Sequence, residues 1–325
     1  MKRLISILMA SAMILTLFAF TSCKKEEPTL KLGLGVTTST TAESATADAD
    51  GKGQVTTTAA AVLVDADGKI VKAFIDCADN TVAFTAEGAA KKNEAFKTKY
   101  ELGADYGMKK AGSAKEWFEQ ADAFCALIVG KTAAEVKALV ASNYKGTDEV
   151  LNAGCTIYIS DFAVAVEKAI ANATDSNATK NDTLKLGVAT SQTTADATAE
   201  AKGSNKVATT FFAAAVDAEG KIVAASSDCV EVDFQFNTAG ATDFDTTKAV
   251  QSKKEKGDDY GMKAHAGAAK EWYEQAAAFD AACIGKTASE INGLMGADYK
   301  GNADVQAAGC TIYVSDFVKA ASKIG

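Results

Sequence analysis

The sequence predicts an α+β fold, because strand patterns open each half of the chain and helix patterns follow them. Residues 54–64 are rich in Thr, Ala and Val, which favours a strand. A turn signal at 65–68 leads into the alternating run 69–75, the expected return strand of a hairpin. The second half repeats this hairpin signal around residues 217–220.

The helix signals come later in each half. Trp117, Ala121, Phe124 and Ile128 fall on one helical face, and Gly130 then favours a helix end.

Further helix starts are predicted by capping patterns. Residues 132–135 and 287–290 have the spacing of a capping box, a Thr followed three positions later by Glu. At 160–161 and 315–316, Ser-Asp offers a cap and a negative charge where the last helix of each half should begin.

The chain contains the same pattern twice, at an offset of about 154 residues. The recurring runs are Leu-Lys-Leu-Gly at 30–33 and 184–187, Tyr-Gly-Met-Lys at 106–109 and 260–263, Lys-Glu-Trp at 115–117 and 270–272, and Ala-Gly-Cys-Thr-Ile-Tyr at 153–158 and 308–313. A constant offset of this size predicts two tandem copies of one domain. We expect these domains at 30–171 and 184–325, joined by a polar linker at 172–183 and each folding by itself.

Residues 1–22 are typical of a lipoprotein signal peptide. Lys2 and Arg3 precede an apolar run over 4–20, which is shorter than the roughly 20 residues of a spanning helix. Small residues then precede Cys23, so we expect lipidation there, with 23–29 as lipidated cysteine and tether. The lipid would hold the protein outside the cytoplasm on the cell membrane. An ordinary signal peptide or a single membrane anchor is the alternative.

Composition excludes several classes of function. The chain has 34 basic and 42 acidic residues and a net charge of −8, which argues against nucleic-acid partners. It has a single histidine, His265, so sites with histidine ligands for zinc, copper or di-iron cannot occur in both halves, and we expect no metal. Ser-His-Asp catalysis meets the same shortage. Redox chemistry would therefore need an organic cofactor.

The run Ala-Gly-Cys-Thr-Ile-Tyr, followed by Ser-Asp-Phe and a helix, resembles the FMN-binding domain family. Members carry Ser/Thr-Gly-Ala-Thr, and a flavin transferase esterifies the last Thr with the FMN phosphate. The tandem arrangement in a lipoprotein is similar to two-domain extracellular electron-transfer lipoproteins. The resemblance implies two covalent FMN groups, on Thr156 and Thr311, with Gly154 and Gly309 as the matching glycines.

Two departures from the family pattern lie at this run. Cys155 and Cys310 stand where the family usually has Ala, and Ala153 and Ala308 stand where it has Ser or Thr. Because each cysteine adjoins the implied attachment point, we expect Cys155 and Cys310 to line the cofactor pocket near the phosphate, which would raise the pKa of their thiols.

Aromatic side chains are the expected cover of a flavin ring. Tyr106 and Tyr260 lie in polar, glycine-flanked loops and are the candidates for ring contact. Trp117 and Trp272 lie on apolar helix faces, where core packing is expected.

The remaining cysteines leave two possibilities open. An exported protein could form the disulfides Cys77–Cys155 and Cys229–Cys310, whose members match between the two halves. Buried free thiols are the alternative.

The resemblance implies an electron carrier rather than a substrate-specific enzyme. A membrane quinol or NADH oxidase would be the donor, and soluble flavin, ferric iron or an extracellular reductase the acceptor. Two other classes remain open: a lipoprotein that binds a ligand such as flavin without redox work, and a surface structural repeat protein in which Gly-Cys-Thr is only a turn.

Overall fold

The computed structural model describes residues 28–325 and shows a mixed α+β fold with antiparallel sheets. The signal peptide and Cys23 lie outside the described residues. The strands are β1 (Lys31–Glu43), β2 (Gly51–Val64), β3 (Ile70–Phe84), β4 (Ala90–Lys91), β5 (Thr174–Asp175), β6 (Thr183–Ala195), β7 (Gly203–Val216) and β8 (Ile222–Phe236). The α-helices are α1 (Lys99–Leu102), α2 (Trp117–Leu127), α3 (Ala133–Lys137), α4 (Asp148–Ala153), α5 (Ser160–Ala171), α6 (Lys253–Lys256), α7 (Met262–Ala266), α8 (Trp272–Cys283), α9 (Ala303–Ala307) and α10 (Ser315–Ser322).

Each half is built on an antiparallel meander of three long strands. The order is β4-β3-β2-β1-β5 in one sheet and β6-β7-β8 in the other. The three long strands have 13, 14 and 15 residues in both halves, and both hairpins carry a register shift, at Leu63/Val64 and at Ala215/Val216. The predicted turn at 65–68 is confirmed: the Asp65 carboxylate accepts backbone N–H bonds from Asp67 and Lys69.

The helix predictions hold with two corrections. The apolar face of α2 is buried as expected, and the Thr132 capping box opens α3. At 287–290 the Glu290 carboxylate accepts the Thr287 N–H and hydroxyl, but the Glu290 N–H donates to the Thr287 carbonyl instead of its hydroxyl, and only a 3-10 helix, Glu290–Leu294, follows. The last helices begin at Ser160 and Ser315 as predicted, but neither start has a side-chain cap bond.

The two sheets pack face to face, and the helices cover their outer faces. Alternate residues of β2 serve different cores, because side chains along a strand point to opposite faces. Ala59, Ala61 and Leu63 pack against the other sheet, whereas Ala60 and Val62 pack against the helices of their own half. The order of layers is therefore helix, sheet, sheet, helix.

The contacts between the sheets are reciprocal, as in an interface with two-fold symmetry. The Ala45 N–H donates to the Gly240 carbonyl and the Ala197 N–H donates to the Gly88 carbonyl, both at 2.8 Å. The rings of Phe84 and Phe236, the last residues of β3 and β8, stack with centroids 4.3 Å apart.

The stretch 172–183 is docked rather than a free linker. Its β5 pairs with β1, and its Ala178 is completely buried, with a carbonyl that accepts the Leu30 N–H at 2.7 Å. Side chains also dock the stretch: the Asn172 amide donates to the Leu34 carbonyl and the Ser176 hydroxyl donates to the Leu30 carbonyl.

The expectation that each half folds by itself is at odds with the shared core between the sheets. Side chains from both halves form that core, including Leu34 and Leu63 of the first half and Phe211 and Phe234 of the second.

Within residues 28–325, no helix is long and apolar enough to cross a membrane.

Residues 184–325 produced alone should therefore self-associate or precipitate. Removal of the first half would expose an apolar sheet face that includes Val188, Val207, Phe211 and Phe234. Analytical ultracentrifugation of this fragment should show dimers or larger species, with the mature full chain as the control. A folded, monomeric fragment would contradict the expected role of the shared core.

Candidate functional site

A cleft lies beside the Ala-Gly-Cys-Thr run in each half, between the sheet and its helices. The first cleft has a volume of about 350 Å³ and the second cleft about 400 Å³. Matching walls are Cys77, Lys99, Tyr106, Trp117, Tyr158 and Asp161 in the first cleft and Cys229, Lys253, Tyr260, Trp272, Tyr313 and Asp316 in the second. The structure thus brings together aromatic and charged side chains that are far apart in the sequence.

A buried glutamine holds the loop that carries each threonine. The Gln120 side-chain oxygen accepts the Thr156 N–H at 2.8 Å and its hydroxyl at 3.1 Å. Gln275 binds Thr311 in the same way, at 2.8 and 3.0 Å. Gln120 and Gln275 are each only 1% exposed, whereas both threonines are exposed. Each hydroxyl is therefore held in a fixed position at the surface.

A lysine ammonium lies over the glycine of each loop. Gly154 and Gly309 have φ of 93° and 99°, which disfavours any residue with a Cβ. A Cβ at either position would also lie 2.2 Å from an ammonium nitrogen, that of Lys115 or of Lys270. Glycine therefore leaves room for a positive charge at the loop that carries the threonine.

Two of the other recurring runs, Tyr-Gly-Met-Lys and Lys-Glu-Trp, bond to each other and form one wall of the cleft. The Glu116 carboxylate accepts the backbone N–H groups of Met108 at 2.9 Å and Lys109 at 3.3 Å. Glu271 makes the equivalent bonds in the second half. These bonds fix the loop after Tyr106, whose side chain is 36% exposed at the cleft.

Lysine ammonium groups face the aromatic walls. Lys99 lies 5.2 Å from the Tyr106 ring centroid and Lys253 lies 5.1 Å from that of Tyr260, both within cation–π range. The tryptophans have two roles: Trp117 is 5% exposed and packs edge-on against Phe162 in the core, as predicted, and it also lines the first cleft.

The cysteine expectations need correction. Cys155 and Cys310 are fully buried in the apolar cores between helices and sheets and do not line the clefts. Burial raises the pKa of each thiol to about 11. Cys77 and Cys229 line the clefts instead, and all six cysteines of residues 28–325 are free thiols, so the proposed disulfides are not formed.

The sequence-based interpretation did not assign the residues that support the threonines. Gln120, Lys115 and Glu116 all belong to the run Lys-Glu-Trp-Phe-Glu-Gln, which recurs at 270–275 with one change. The available signal was that the polar residues of this run recur unchanged. Packing of the helix against the core requires only its apolar residues, such as Trp117, so the repeated polar residues indicated a separate role.

Comparison with known proteins gives no family assignment. No protein-family model, no curated protein and no solved structure matches the chain. The choice of a ligand therefore depends on the recurring runs and on the geometry of the two clefts.

Two buried aspartates that position the cleft lysines should make stability depend on pH. Asp76 accepts the N–H groups of Cys77 and Tyr100, and Asp228 makes the equivalent bonds at the start of α6. Burial raises the pKa of Asp76 to about 7 and that of Asp228 to about 6, although hydrogen bonds oppose it. Since an unfolded aspartate has a pKa of about 3.9, the stabilisation by the protonated form is complete below that pH and is lost as pH rises through about 7.

The measurement is the free energy of unfolding in urea between pH 5 and pH 8. Asp76→Asn and Asp228→Asn should each flatten the fall in stability over this range, because the amide keeps an acceptor oxygen and does not titrate. Asp48→Asn, at an exposed position, is the matched control. Unchanged pH slopes in both buried variants would contradict the assignment.

The buried cysteines should be inert in the folded protein. A thiol with a pKa of about 11 is protonated at pH 8 and, when buried, is also out of reach of a thiol reagent. Cys155→Ala with Cys310→Ala should leave native reactivity unchanged, lower the thiol count after unfolding by two, and cost about 1 kcal/mol per site. Disulfide-linked peptides in a non-reducing map would contradict the free thiols.

Proposed function

We propose that this protein is an extracytoplasmic electron-transfer flavoprotein built from two tandem copies of an FMN-binding-type domain, with one FMN esterified to Thr156 and one to Thr311. The observation that carries the proposal is the arrangement found in both halves. An exposed threonine hydroxyl is held by a buried glutamine, on a loop whose glycine lies under a lysine ammonium. The threonine itself does not line the aromatic cleft, but the two residues that follow it do.

The residues present fit the two chemically different parts of FMN. Clefts of about 350 and 400 Å³ lie within the usual range of small-molecule sites, roughly 300–1,000 Å³. Trp117 and Tyr106 offer flat apolar cover for a ring in the first cleft. Lys115 offers a positive charge for a phosphate on Thr156.

The protein would supply attachment and orientation, and FMN supplies the capacity to carry one or two electrons. Gln120 retains its bond from the Thr156 N–H when the hydroxyl is esterified, so the loop keeps its position. A covalent bond also prevents loss of the group by diffusion outside the cell. No substrate-specific catalytic residue is needed for this work.

The proposal includes the cellular partners. The lipid on Cys23 would hold the protein at the membrane, and a flavin transferase would attach the FMN groups. A membrane quinol or NADH oxidase would donate electrons, and soluble flavin, ferric iron or an extracellular reductase would accept them.

Removal of the threonine hydroxyls tests the proposal directly. After coexpression with a flavin transferase, Thr156→Ala and Thr311→Ala should each lose one covalent flavin, and the double variant should lose both. Flavin absorbance relative to protein, measured after denaturation and gel filtration, gives the stoichiometry and excludes non-covalent flavin. Thr147→Ala is the matched control, because Thr147 precedes a helix without making a side-chain cap bond.

Three outcomes would count against the assignment. Two covalent flavins in the double variant would place the attachment elsewhere. A wild-type chain that releases all its flavin on denaturation would favour a ligand-binding lipoprotein, and a colourless one a structural repeat protein.

A further inference from the structure

We infer that the two clefts are electrostatically unequal, so that the FMN of the second half is the stronger electron acceptor and electrons pass from the first half to the second. This inference rests on the proposed function. It comes from charged residues that differ between positions that are otherwise equivalent.

The first difference lies on the second long strand of each half. Gln54 pairs with Thr41 in β1–β2, and Lys206 pairs with Thr193 at the equivalent place in β6–β7. The Gln54 amide donates to Asp79 at 2.6 Å, whereas the Lys206 ammonium forms an ion pair with Glu231 at 3.4 Å and lines the second cleft.

The carboxylates therefore neutralise different amounts of positive charge. Asp79 pairs with one ammonium, that of Lys99 at 3.5 Å. Glu231 is shared between two, Lys206 at 3.4 Å and Lys253 at 3.2 Å. In the second half one negative charge faces two positive charges, so this group of three residues keeps a net positive charge, whereas Lys99 and Asp79 balance each other.

A second difference lies in the short helix at the cleft mouth. Lys256 ends α6, and its ammonium lies 5.8 Å from the Tyr260 ring centroid. Leu102 ends α1 at the equivalent position and carries no charge. The lysine adds positive charge to an aromatic wall of the second cleft.

A third difference lies at the last helix. Asp316 lines the second cleft and pairs with Lys319 at 3.3 Å. Asp161 lines the first cleft, but the position equivalent to Lys319 is occupied by the uncharged Val164. The last helix therefore adds one more positive charge beside the second cleft than beside the first.

Two acidic differences oppose these three. Asp280 stands where the first half has Cys125, but its carboxylate accepts the Ser227 N–H and lines a different groove. Asp258 stands where the first half has Ala104. Its carboxylate accepts the Tyr273 hydroxyl at 3.1 Å, and Tyr273 lines a different groove. The charge of Asp258 is therefore engaged away from the second cleft.

Reduction adds negative charge to a flavin ring, so nearby positive charge stabilises the reduced form and raises the reduction potential.

The two sites also have a fixed position relative to each other. The shared core joins the sheets. Two reciprocal ion pairs, both 2.5 Å, also join the halves: Lys168 of α5 pairs with Glu255, and Lys323, the residue after α10, pairs with Glu101. The two sites therefore keep a constant separation within one chain.

Full-length forms with one flavin each isolate the two sites. Thr311→Ala keeps only the flavin of the first half, and Thr156→Ala keeps only that of the second. Spectroscopic redox titration at low salt should give the second site the higher midpoint potential. We expect at least a tenfold preference for the electron, about 59 mV for one electron, and a smaller gap at high salt.

Exchange of the differing residues tests the cause. In the form with only the second flavin, Lys206→Gln with Lys256→Leu should lower the midpoint potential. In the form with only the first flavin, Gln54→Lys should raise it. Lys221→Gln removes the same charge at the opposite end of the β7–β8 hairpin and should leave the potential unchanged.

The outcomes separate the two proposals. Equal potentials, a higher potential in the first half, or an equal response to Lys221→Gln would overturn the electrostatic inference while the flavin sites stand. Absence of covalent flavin from both single variants and from the wild type would overturn the proposed function, and the inference with it.

Discussion

The structure depends on the burial of both faces of both sheets. Each sheet carries apolar side chains on both faces. One face packs against the helices of its own half, and the other face packs against the second sheet. Neither half covers that inner face alone. The reciprocal contacts at Phe84 and Phe236 show how nearly equivalent surfaces satisfy each other within one chain. The helices are then left on the outside, where the clefts open.

That arrangement explains why the candidate sites are built from helix and loop residues supported by the sheet. Gln120 lies on a helix whose apolar face is packed against the core, and it reaches across to fix Thr156. Glu116, at the start of the same helix, fixes the loop after Tyr106. One helix therefore positions both the threonine and the aromatic wall, so the runs recur together.

The sequence predicted what local patterns encode. The hairpin turn at Asp65, the buried face of α2 and the Thr132 capping box depend on residues close in the chain, and all three are confirmed. The packing of the two sheets was missed, although the unbroken apolar run 59–64 is typical of a strand buried on both faces. Cys155 was misplaced because adjacency to Thr156 in sequence says little about which way a loop side chain points.

The two halves have similar sequences and the same cleft walls, but the charges around their clefts differ. Gln54 and Lys206 differ at a position that, in sequence, is only one of many substitutions between the halves. The fold shows the effect of that substitution, because Lys206 forms an ion pair with Glu231, the carboxylate that also pairs with Lys253. Under the proposed function, two clefts with the same set of walls would be equal sites, and a few charged residues that differ between them would give the two FMN groups different affinities for an electron. Two identical clefts would give electron transfer no preferred direction, whereas the unequal charges around these clefts would give the proposed transfer a direction from the first half to the second.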